Sequence, residues 1–123
     1  MPTPATAAAS DKLITVVIPV FNRERLLVRT LDSIAAQDSD RIRLVIVDNA
    51  STDGSRRVAE QWCRAHDEID AMVTDCAMPG AAAARNAGLM LAETPYVMFF
   101  DSDDEMLSGH LEMVVRGIES PAP

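Results

Sequence analysis

Four short apolar runs, rich in β-branched residues and separated by stretches of helical period, constrain this chain more than any other feature. Leu13 to Val20 (LITVVIPV) and Arg43 to Val47 (RLVIV) are mostly continuous in apolar residues, as expected of strands buried on both faces. Ala71 to Thr74 is a weaker third strand, and Tyr96 to Phe100 (YVMFF) a fourth. Leu26, Leu27, Leu31 and Ile34 recur at helical spacing between Arg23 and Gln37. Val58, Ala59 and Trp62 give a second helix its apolar face, with capping oxygens on Ser51, Thr52 and Asp53 ahead of it. Pro79 and Gly80 break the chain before an alanine-rich helix from Ala81 to Ala92, and a last helix runs from Ser108 to Ile118. Regular alternation of strand and helix predicts an α/β domain. Its sheet should be mostly parallel, with helices on both faces, right-handed crossovers and the first strand interior.

In such sheets ligands bind outside the carboxyl ends of the strands, and the polar residues of this chain collect there. Asn22 follows the first strand, Asp48 and Asn49 the second, and Asp101 and Asp103 the fourth. In a strand-like extension residues two apart face the same way, so Asp101 and Asp103 can converge on one hard cation, Mg2+ or Mn2+. Asp104 adds a third negative charge, and such crowding requires a cation or hydrogen-bond donors to offset the repulsion. Alone, the triplet reads equally well as a solvated acidic turn that caps the next helix.

The small residues that open the helix at Ala81 would let a phosphate approach the backbone at a helix N-terminus, with Arg85 one turn in to bind a diphosphate. Taken by itself that segment is better explained by close packing on a sheet. Asp48 or Asn49 could accept the imide N–H of a pyrimidine base, or could simply form a turn. His66 and His110 have no partner at ligand spacing and read as surface residues.

Composition removes several classes. A net charge of −8 over 123 residues argues against a nucleic-acid backbone or an anionic membrane as partner. Cys63 and Cys76 are too few for a disulfide framework and read as free thiols. The first residues have neither the basic start nor the apolar stretch of a signal peptide or membrane anchor, and a cytoplasmic location is expected. Residues 1–12 read as a disordered tail, 13–118 as one domain, and 119–123 as a tail or truncation point.

Together the stretches VVIPVFNRERLLVRTLDSI, LVIVDNASTDGS, PGAAAARNAGL and YVMFFDSDDEM resemble the family-two glycosyltransferases of the GT-A fold. They cover nearly all of Thr15 to Met106 in family order. The resemblance implies the Rossmann-like, nucleotide-sugar-binding half of that fold, acting in polysaccharide biosynthesis. It places Pro19, Phe21 and Asn22 around the base and ribose, and Asp48 or Asn49 on the base. Arg85 falls in the R-N-x-G element, near the ribose or diphosphate. Asp103 matches the direct metal ligand of the D-x-D pair, and Asp101 a ribose or water-bridged contact that also serves the metal. The chain departs from many members in having Asn49 where they carry a second Asp.

The resemblance also implies sugar transfer with inversion, by direct displacement against a metal-held diphosphate. The catalytic base and the acceptor site, for an acceptor sugar or lipid-linked glycan, are expected beyond Pro123. These residues alone are therefore expected to bind a nucleotide-diphospho-sugar donor and transfer little, which leaves a non-catalytic nucleotide-binding module as the alternative. A remoter one is a phosphoacceptor receiver domain, with Asp75 as acceptor ahead of Met78, Pro79 and Gly80. Asp48 and Asp75 stand too close in sequence for that fold, and the downstream lysine it needs is missing, since Lys12 is the only lysine.

Overall fold

The computed structural model describes residues 12–37 and 40–120; the expected terminal tails lie outside them except for Lys12, Glu119 and Ser120, and Glu119 belongs to the last helix. The element order is β1 (Ile14–Val20), α1 (Leu27–Ala35), β2 (Ile42–Asp48), α2 (Ser55–Ala65), β3 (Ala71–Asp75), α3 (Ala81–Leu91), β4 (Tyr96–Phe99) and α4 (His110–Glu119). All pairings are parallel and the strand order is β3-β2-β1-β4, so the first strand is interior as expected.

Alternation along the strands divides the core in two. Ile14, Val16, Ile18 and Val20 of β1, with Ile42, Leu44 and Ile46 of β2, face three helices. These contribute Leu27, Leu31 and Ile34 from α1, Ala59 and Trp62 from α2, and Leu111 from α4. Val17, Val45 and Val47 face the other way and are covered by α3 through Ala84. Each large apolar side chain so buried contributes about 1.5–3 kcal/mol relative to exposure.

One helix, α3, packs over the central strands on this face, and it sits close. Gly88 allows this, because a Cβ there would overlap the Val17 side chain.

Burial on both faces holds for the two central strands, as expected, and not for the outer two. β3 and β4 have neighbours on one side only, and Tyr96 and Phe99 are exposed. A short apolar run on an edge strand has the same composition as a central one, so the difference is invisible locally.

The first helix starts at Leu27 rather than Arg23, and Leu26 is exposed. Asn22 takes a left-handed φ of 52°, which turns the chain before helical bonding begins. Cys63 lies on α2 and Cys76 follows β3, and both are free thiols. Burial pushes the Cys63 thiol up, so it stays protonated. His66 is no bare surface residue: its ring stacks on Trp62 with centroids 4.1 Å apart.

Candidate functional site

Parallel register decides which residues meet. Val17 pairs with Phe99, so Asp101, two residues on, comes level with Pro19 at the end of β1. Val20 pairs with Asp48, which pairs in turn with Asp75. The loops after β1, β2 and β4 therefore open onto one edge of the sheet.

The loop after β4 is shaped by α1. Thr30, fully buried, donates its hydroxyl to the Ser102 carbonyl at 2.9 Å. Ser33 Oγ accepts the Met106 N–H at 2.8 Å, and Gln37 donates to the Leu107 carbonyl while accepting the Leu111 N–H. Arg29 donates to the Asp103 carbonyl at 3.0 Å and pairs with Glu105 at 3.3 Å. Held this way, residues 101–104 form a turn, with the Asp104 N–H bonded to the Asp101 carbonyl. The expected strand-like alternation does not continue through them. The turn instead brings ligand oxygens of Asp101, Asp103 and Asp104 within 4.8 Å of one another, all exposed. Three hard oxygen donors at that spacing fit Mg2+ or Mn2+.

The loops after β1 and β2 are clasped together. Asn22 Oδ1 accepts the N–H groups of Thr52 and Asp53, while its own N–H donates to Ser51 Oγ. Glu24 accepts the Gly54 N–H at 2.6 Å. Asp53 Oδ1 accepts both the N–H and the hydroxyl of Ser55 at the start of α2, and the hydroxyl bond holds its carboxyl below the usual carboxylate value. Asn22 is thus occupied as a clasp and does not line the cleft that most of the other candidate residues share.

That cleft, of about 360 Å³, is lined by Pro19, Val20, Phe21, Arg23, Asn49, Ala81, Arg85, Asp101, Ser102 and Asp103. A second hollow of similar size adjoins it, shares Phe21, Asn49 and Ala81, and is otherwise lined by Ala50, Ala77, Pro79 and Gly80. One half is charged and the other apolar. Asn49 stands between them, 7% exposed. Its Nδ2 donates to the Gly80 carbonyl at 2.9 Å, which leaves Oδ1 buried with no partner among the described residues. A buried carbonyl without a donor costs about 1–3 kcal/mol, and a ligand N–H would relieve that cost. Asp48 is buried behind it, with Oδ2 accepting the Ser51 N–H and Oδ1 likewise unpaired. Gly80 takes φ 105° to start α3, and Arg85 reaches the cleft from one turn in.

Six of the eight expected site residues therefore meet in the cleft: Pro19, Phe21, Asn49, Arg85, Asp101 and Asp103. Asn22 and Asp48 do not line it. Arg23 does, and sequence reasoning missed it; its place one residue after Asn22 at a strand end was the available signal. Its Nη2 lies 3.7 Å from Asp103 Oδ2. Asp75 of the receiver alternative is exposed, pairs with Arg56, and is absent from the cleft lining.

The family model for glycosyl transferase family 2 matches residues 15–123. The chain belongs to glycosyl transferase family 2. A glycosyltransferase of Streptococcus pneumoniae, GlyA, is 36% identical over 108 residues, covering 88% of this chain and 15% of that protein. A β-1,3-glucosyltransferase of Campylobacter jejuni that acts on GalNAc(5)-diNAcBac-PP-undecaprenol is 31% identical, covering 84% of this chain and 33% of the relative. Among solved structures, TarS of S. aureus in complex with UDP-GlcNAc superposes with a TM-score of 0.76 at 28% identity, over 87% of this chain and 31% of that one. The mannosyltransferase PcManGT of Pyrobaculum calidifontis, in complex with GDP-Man and Mn2+, gives 0.81 at 29% identity, over 88% and 32%. The chain thus spans a third or less of each of these proteins. The GT-A fold and the family expected from the motifs are both borne out, and the receiver alternative is set aside.

Proposed function

We propose that this chain binds the nucleotide-diphospho-sugar donor of a glycosyltransferase through a divalent cation, within a domain spanning residues 13–118. The observation that carries this is the divided cleft: carboxylates and arginines in one half, an apolar hollow in the other, and an unpaired buried acceptor between them. The bound TarS and PcManGT neighbours support the donor class, and PcManGT supports the divalent cation.

In this reading Asp103 ligates Mg2+ or Mn2+, with Asp101 bridging to the ribose or a metal-bound water. The diphosphate lies between the cation and Arg85 at the α3 N-terminus. The base stacks near Phe21, and Asn49 Oδ1 accepts a ring N–H, which uracil, thymine and guanine all offer. Pro19 closes the sheet side of the cleft, while Asn22 and Asp48 hold the loops that shape it.

Beyond Asp101 and Asp103 no carboxylate lines the cleft among the described residues. The 123 residues alone should therefore transfer sugar slowly or not at all, with the inverting base and the acceptor site supplied elsewhere. No helix among the described residues is long and apolar enough to cross a membrane. The free thiols of Cys63 and Cys76 fit a cytoplasmic setting.

Calorimetric titration of UDP and GDP, with and without Mn2+, tests the proposal. Mn2+ should raise nucleotide affinity about 5- to 150-fold, and nucleotide should raise Mn2+ affinity by the same factor. Asp103→Ala should abolish the coupling. Equal affinity in both conditions would reduce the acidic turn to a helix-capping loop.

A further inference from the structure

Arg23 joins two features that donor binding needs separately. Its backbone is fixed: the N–H donates to Ser55 Oγ at 2.7 Å, and Asn22 before it is locked in the left-handed region. Its side chain is not. Nη2 approaches Asp103 Oδ2 at 3.7 Å, beyond hydrogen-bond range, and Nε is buried with no partner among the described residues. Nη1 reaches only the Asn22 carbonyl, at 3.5 Å. The guanidinium is therefore held near Asp103 by charge rather than by a directional bond.

A divalent ion ligated by Asp103 competes with this partner for the same carboxylate. Mg2+ sits about 2.1 Å from its oxygens, which would bring it against the guanidinium with like charge. Resting on the donor-binding reading above, we infer that Arg23 is a counter-ion exchanged for the metal. In the metal-free chain it neutralises Asp103; a divalent cation displaces it, and it then turns to the diphosphate. The cleft supplies the path, because Arg23, Asp103 and Arg85 all line it. The exchange makes the metal bind poorly alone and well with a nucleotide, so ordered binding follows from one side chain.

The sign of the effect separates this role from a structural one. Arg23→Met in the 123-residue chain should bind Mn2+ alone roughly two- to fivefold more tightly than wild type, the reach of a partly exposed ion pair. With Mn2+ saturating, the same variant should bind UDP or GDP about tenfold more weakly, since a charge-assisted bond to the diphosphate is lost. Electron paramagnetic resonance of free Mn2+ reads the first quantity and calorimetry the second, and neither needs turnover. Arg23→Gln should repeat both changes, and Arg23→Lys should fall between it and wild type.

A side chain that only braced its loop would leave Mn2+ binding unchanged or weaker in all three variants, and that result overturns the exchange. If wild type couples metal and nucleotide while Arg23→Met and Arg23→Gln couple them equally well, the exchange fails and the donor site stands. Wild type that binds neither Mn2+ nor nucleotide overturns the donor site, and the exchange with it.

Discussion

Gly88→Ala should destabilise the chain, although the same change improves helix propensity. In an exposed helix interior alanine is favoured over glycine by about 1 kcal/mol. At Gly88 the new Cβ would overlap Val17 Cγ1 and crowd Val17 Cγ2 and Cβ. Val17 cannot give way: it is fully buried, β-branched, and paired on both sides by Val45 and Phe99 in the sheet. Helix α3 must therefore lift, and overpacking of this kind costs about 1–3 kcal/mol, here toward the upper end because the crowding reaches Cβ. The net expectation is a loss of about 1–2 kcal/mol. Gly117→Ala on α4 is the control, since its Cβ meets nothing within 4 Å and should add about 0.4–1 kcal/mol. Urea unfolding should separate the two variants by roughly 2 kcal/mol, and thermal melts by about 8 °C at a scale near 4 °C per kcal/mol for a chain of this size. Because α3 carries Arg85 into the cleft, Gly88→Ala should also weaken nucleotide binding in the presence of Mn2+. Equal stability of the two alanine variants would refute the close-approach account of Gly88.

Thr30→Val keeps the side-chain volume but leaves the Ser102 carbonyl without its buried donor, so stability should fall by about 1–3 kcal/mol, read by urea unfolding. The same variant should bind Mn2+ more weakly in the presence of nucleotide, because that carbonyl lies between Asp101 and Asp103 in the acidic turn. Asp53 has its carboxyl held below its ordinary value of 3.8 by the Ser55 hydroxyl, so the unfolded chain takes up this proton first as pH falls. Its stabilising effect should be complete above that value and lost below it, and the stability gap between wild type and Asp53→Asn should close across that range in acid unfolding curves.

Much of this molecule is a local property of its chain. Valine and isoleucine at consecutive positions in β1 and β2 demand strands covered on both faces, and the helical recurrence of Leu27, Leu31 and Ile34 supplies one of the covers. Alternation of such segments leaves a parallel sheet as the simplest packing, and that places Asp48, Asn49 and Asp101 at one edge before any contact is known. What the loops do at that edge was decided by contacts between residues far apart in sequence. Thr30 and Ser33 of α1, with Gln37 just past its end, bend residues 101–107 into a turn from about seventy positions away, so three carboxylates converge where simple alternation would have brought two. Asn22 is spent on the backbone of Thr52 and Asp53, and its neighbour Arg23 enters the cleft in its place. Asn49 gives its amide to the Gly80 carbonyl, 31 positions on, and its acceptor is left buried and unpaired among the described residues. Strand and helix periods follow from bonding within a few residues. The aim of a side chain beyond a strand end depends on which distant donor or acceptor reaches it first, and only the folded chain determines that.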